Sequence, residues 1–300
     1  MSGRHGSRSP RTRVITGLVL VAPVVAVALI GPLLAGSTTR FVSTPFAGRA
    51  EMGRFGADAL GRDVLNRFLA GGLLTLAIAL AATLIGVAAG CLLGMLAALE
   101  TSRGQLINRA IDAALAFPQY VLVLLFVAMT GASVWVTVAV IALAYTPVVA
   151  RVIRAASLEV VQRDHVQYAR LLGAGRWQLM RREIVGCVTG PLSVEAGIRL
   201  TYAVAIVSAL SYLGFGAQPP AADWGAMISE NQIGFTVQPW AVMLPVAAIA
   251  VLTVGINLVT EGLAASHASG GSLLRRRRPG AAQPADTGEA QTYLAEVDHD

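Results

Sequence analysis

Long charge-free apolar runs alternate with short polar, arginine-bearing segments along this 300-residue chain. A helix that crosses a bilayer needs about 20 consecutive apolar residues. The runs predict six such spans, at 14–36, 68–99, 113–130, 134–150, 184–215 and 239–260. The first follows a polar stretch with four arginines, as a secretory leader would. It is long for one and no small-residue cleavage site closes it, so the reading is a retained anchor. Within 68–99, Ala82, Gly86, Gly90, Gly94 and Ala98 recur every four residues. One helix face is thus a strip of small side chains that lets a neighbouring helix approach closely. The run 113–150 is too long for one span and suits two, with Thr130-Gly131-Ala132-Ser133 as the natural break. Pro118 and Pro147 fall inside those two spans, where proline kinks a helix and frees backbone carbonyls.

Between the fourth and fifth runs lies a polar insert, 151–183, with helix punctuation of its own. Asp164 is a good N-cap, and Gln167 stands three residues on, where its side chain reaches back to the cap N–H. A short helix over 165–172 then ends at Gly173, which tolerates the left-handed conformation of a helix C′ position. A second helical run, 176–185, leads back into apolar sequence. Such a helix–glycine–helix knob beside a membrane is shaped to dock into a partner, although a solvated loop between spans has the same pattern.

The other polar features change the picture less. Glu195 and Arg199 form an i, i+4 pair inside the fifth span, with the acid in the favoured N-terminal place. Intramembrane charges mark function or a structural pair, and both readings stay open here, with the pair placed near the inner end of the span. Segment 216–238 is too polar to cross, and the tail 264–300 turns Gly/Ala/Pro-rich and acidic after arginines 275–278, a composition expected to be disordered. Four scattered histidines and two cysteines, Cys91 and Cys187, show no ligand spacing, so no metal site is expected.

Composition then settles the class. The chain is 55% hydrophobic and 13% charged, with a mean hydropathy of +0.64, whereas soluble chains are about a quarter charged. An all-α polytopic membrane protein follows. The net charge of +6 comes from arginine alone. Those arginines flank spans and do not line one folded face, so nucleic acid is not an expected partner. Segments 1–13, 100–112, 151–183 and 264–300 carry 4, 2, 7 and 4 arginines, seventeen of the twenty-three. By the positive-inside rule these segments, and both termini, are cytoplasmic. The organisation read from the chain is a tail at 1–13, a first span and external segment at 14–67, a membrane unit at 68–263, and the tail at 264–300.

Four stretches in order carry a family resemblance: FGADALGRDVLNR at 55–67, LAFPQY at 115–120, LGFGAQPPAADWGAMISE at 213–230 and NLVTEGL at 257–263. Together they resemble the C-type permease subunit of dipeptide, oligopeptide and nickel importers of the ABC superfamily. The resemblance implies the six-helix type I importer permease fold in the cytoplasmic membrane. It implies a second, non-identical permease, two ATPase subunits that bring ATP and Mg, and an extracytoplasmic substrate-binding protein. The chain has no GxxxxGK[ST] phosphate loop, so it is expected to be no enzyme and to bind no cofactor of its own. In the family, a Glu-Ala-Ala-x-x-x-Gly element of the cytoplasmic loop forms the helix that couples to the ATPase. Its counterpart here is Gln167, Tyr168, Ala169 and Gly173, set among Asp164, His165, Arg170 and Ala174. The chain departs from the pattern at Gln167 and Tyr168, and again at Val185-Gly186, where the family shows Leu-Pro. External segments 37–67 and 216–238 are the expected docking surface of the binding protein. Peptide is the family's usual solute, and nickel or another small solute is the alternative on the same frame. A proton-coupled secondary transporter would need buried carboxylates in several spans, and only Glu195 lies well inside one.

Overall fold

The structure is a computed structural model and describes residues 9–48, 55–99, 102–131, 133–173, 175–218 and 220–276. The described residues are mostly helical, with two isolated β-bridges, Phe41 with Arg62 and Ala57 with Asp63. The long helices are α1 (Pro10–Leu34), α2 (Val64–Ala97), α5 (Val134–Val161), α8 (Val185–Tyr212) and α10 (Trp240–Arg276). Shorter ones are α3 (Ser102–Leu115), α4 (Gln119–Thr130), α6 (Asp164–Leu171), α7 (Arg176–Leu179) and α9 (Trp224–Asn231). Five stretches are long and apolar enough to cross a membrane, and α3 with α4 makes a sixth if that bent pair is one span.

Helix starts follow the local chemistry. Ser9 caps α1 through a bond from the Thr12 N–H and Pro10 opens it, so residues 10–13 are helix and not tail. Asp63 caps α2 by accepting the N–H groups of Leu65 and Asn66. The small-residue strip of α2 lies along α5. A Cβ on Gly90 would stand 2.6 Å from the Val149 Cβ and 2.7 Å from the Thr146 carbonyl. Backbones this close leave no room for a side chain at that crossing.

Three expectations need correction. The segment 100–112, read as a polar loop, is largely the amphipathic helix α3. Its inward side carries Ile107, Ile111 and Leu115 against the α2–α5 core. The third span, 113–130, is not one helix: the chain breaks at 116–118, and the two helical parts meet at 80°. Pro118 becomes the N-cap residue of α4 instead of an internal kink, because the residue before a proline is pushed out of the α region. At twelve residues α4 is about 18 Å long, short of the roughly 30 Å hydrocarbon layer. Last, the expected disorder of 264–276 is overturned, since α10 continues to Arg276. Its Ala- and Leu-bearing sequence holds no proline there to stop it.

A central core joins α2, α4, α5, α8 and α10 through Ile78, Val127, Ile141, Tyr145, Val207 and Leu252. Two further clusters close the ends of the bundle. At the end bearing the segment after α1, which we term the cap, Trp224 and Met227 pack on Ala28 and Ala248. At the opposite end, the knob, Met95, Leu99, Val161, Val166, Leu179 and Ile184 form the other.

Candidate functional site

The knob is tied in on one side and open on the other. Helix α5 ends at Val161, and the chain turns within two residues into α6. The Arg163 carbonyl accepts the N–H groups of Val166 and Gln167, so Arg163 holds the N-cap place expected of Asp164, which is the first helical residue. Gln167 does not reach back to a cap N–H. Its side-chain amide donates to the Val161 carbonyl at 3.0 Å, stitching α6 to the end of α5. Val166 is fully buried and Ala169 packs on the same cluster. Opposite them, Tyr168, Leu171 and Leu172 are 66%, 85% and 74% exposed. Gly173 has φ +85 and ends the helix in the left-handed region. The side chains of His165 and Arg170, and all of Ala174, lie outside the described residues.

The second knob helix is shorter than its sequence suggests. After α7 the chain enters a π-turn, Met180–Ile184, in which the Val185 N–H bonds to the Met180 carbonyl. The turn runs without a gap into α8. Its buried Met180 and Ile184 face the knob cluster while Arg181 and Arg182 point outward. A π-turn is a frequent mark of functional sites. Here it joins the knob to α8 without a break in the helical backbone.

Glu195 and Arg199 are both buried, with the Arg199 Nε donating to Glu195 Oε1 at 2.7 Å. Along α8 itself, Glu195 lies ten residues from the start and Arg199 thirteen from the end, so the pair sits near mid-helix. Across the bundle they stay near the expected inner end: Gly197, between them, packs against Thr260, which closes the sixth predicted span.

The cap holds a group of residues that sequence reasoning missed. Asp58 is fully buried and accepts the Arg62 Nε at 2.7 Å and an Arg67 Nη at 2.8 Å. Both guanidinium groups also reach Glu230 on α9, at 2.7 and 2.6 Å. Two cations and two carboxylates therefore close a neutral ring. Asn231 accepts the Ala59 N–H, and Gln238 donates to the carbonyls of Ala47 and Phe55. Asp223 caps α9 and takes a bond from Thr75 of α2, while the Trp224 indole stacks on Phe68 and donates to its carbonyl. The spacing of Asp58, Arg62 and Arg67 is visible in the sequence, but nothing local points to a partner 168 residues away.

Residues 86–269 match the family described as the binding-protein-dependent transport system inner membrane component. The chain is 37% identical over 209 residues to the di/tripeptide transport system permease protein DppC of Pseudomonas aeruginosa, covering 69% of each chain. It is 33% identical over 254 residues to a Brucella ovis protein named as a peptide permease, covering 83% of this chain and 84% of that one. With a glutathione transport system permease protein of Pectobacterium atrosepticum the identity is 32% over 209 residues, again 69% of each.

Proposed function

Since the chain belongs to the inner-membrane component family of binding-protein-dependent transport systems, we propose that it forms half of the membrane path of an ATP-driven peptide importer. Peptide is the solute class named for its relatives. A second permease of the same kind completes the path, two separate ATPase subunits supply the energy, and a binding protein delivers the solute to the cap. With the bent α3–α4 pair counted as a sixth crossing, the concentration of arginine at the knob end supports a cytoplasmic knob and cytoplasmic termini.

The observation that carries this reading is the face of α6. Tyr168, Leu171 and Leu172 form an exposed apolar patch on a helix whose other side is fixed to the ends of α2, α5 and α8. Exposed apolar patches of this kind mark interaction sites. A patch joined rigidly to membrane helices transmits what its partner does. ATP draws the ATPase pair together, α6 travels with it, and α8 is turned through the continuous π-turn. The nucleotide biases two states the permease already has, as any ligand-driven switch requires.

Gly173→Pro tests the coupling, because proline holds φ near −65° and cannot adopt the positive φ found there. ATP-driven uptake of a labelled dipeptide is lost in this variant, and in a deletion of 165–172, while membrane insertion is unaffected. Wild-type uptake by either variant would refute the coupling role.

A further inference from the structure

The middle of α8 carries chemistry that an ion pair alone does not use. The Arg199 guanidinium lies 5.6 Å from the centre of the Tyr145 ring on α5 and 5.8 Å from that of Tyr202 on its own helix. Its Nε is taken by Glu195, and no other hydrogen bond reaches it among the described residues. The Tyr145 hydroxyl is buried with no hydrogen-bond partner. Tyr202 and Tyr120, the latter at the start of α4 and within electrostatic reach of Tyr145, are half exposed at the edge of this group. Within a membrane-spanning segment, ionisable side chains face a bundle interior or a water-filled cavity. The buried Glu195–Arg199 pair with the unpartnered Tyr145 hydroxyl is therefore a polar group of the bundle interior, with Tyr202 and Tyr120 at its rim.

We propose that Arg199, framed by Tyr145 and Tyr202, receives the C-terminal carboxylate of the transported peptide, with Glu195 receiving its ammonium group. The assignment rests on the importer reading above. A guanidinium offers its remaining N–H groups as a fork that matches a carboxylate, and the orphan hydroxyl of Tyr145 adds a further donor. Glu195 keeps the empty site neutral, which a lone cation inside the membrane would not be. A zwitterionic peptide adds no net charge, so loading exchanges one internal ion pair for two pairs with the ligand.

The deciding variant exchanges the pair, Glu195→Arg with Arg199→Glu, in the complete transporter with its ATPases and binding protein in membrane vesicles. The exchange preserves an ion pair but moves the cation by one turn. Uptake of radiolabelled Ala-Ala falls at least tenfold, while the ATPase activity stimulated by loaded binding protein stays at the wild-type level. Wild-type uptake by the exchanged chain would overturn the proposal and leave the pair purely structural. Should the exchanged chain not insert, Tyr145→Phe decides. Its KM for Ala-Ala rises at least threefold if the hydroxyl meets the carboxylate, and an unchanged KM overturns the assignment. Uptake by the unaltered transporter without ATP would instead strike the importer reading, and the comparison of exchanged with unaltered chain would still stand.

Discussion

The cap and the knob are both polar insertions beside the same helices, yet they are built on opposite terms. In the cap the buried charges are answered within the chain: Asp58 and Glu230 take both guanidinium groups, and Asn231, Gln238 and Asp223 hold backbone or side-chain donors and acceptors. In the knob, one row of residues is fully buried and the opposite row presents large apolar side chains to solvent. The difference teaches how to tell scaffold from contact surface. A region that satisfies itself is held in shape, whereas one that leaves apolar area uncovered on a well-anchored frame is made for something else to cover.

Asp58→Ala is the strongest way to break that comparison. It strands two cations, Arg62 and Arg67, with only Glu230 left to answer them. Removing one partner of a buried pair costs about 3–5 kcal/mol. Thermal unfolding of the detergent-solubilised chain should show that loss, and an unchanged midpoint would mean that the ring does not hold the cap. The paired change Leu171→Ser with Leu172→Ser should do the reverse. Exposed substitutions leave stability within about 0.5 kcal/mol, while affinity for the ATPase subunits, measured by co-purification, falls roughly tenfold, about 1.4 kcal/mol. A stability loss without a binding loss would place these leucines in the scaffold. Smallest is Gln167→Leu, which deletes the bond to the Val161 carbonyl. A single hydrogen bond contributes about 1 kcal/mol, so slightly faster proteolysis near 163–173 is expected, with transport retained. Complete loss of transport in Gln167→Leu would show that the stitch itself transmits the motion.

Much of the frame was readable in advance because it rests on local properties. The break at 130–133, the small-residue strip and the helix–glycine–helix knob each follow from side chains within a few residues of one another. Readings failed where a distant contact changed the outcome. Gln167 looked like a capping-box residue, but α5 ends close enough to offer a carbonyl instead. Nothing within a few residues of Glu230 marks it as a partner of Arg62 and Arg67, which only the placing of α9 brings to it.

By itself the sequence determined that the chain lives in a membrane, roughly where it crosses, and which polar insert is set apart from the spans as a helical knob. Those outcomes depend on the transfer cost of each stretch between water and hydrocarbon, which adds up along the chain wherever its neighbours lie. Only the tertiary structure decided which side of α6 is uncovered, how α3 and α4 bend at 80°, and that Tyr145, Glu195 and Arg199 share one place. Those are matters of packing and pairing between distant helices, and charges or rings find each other only after the bundle has closed.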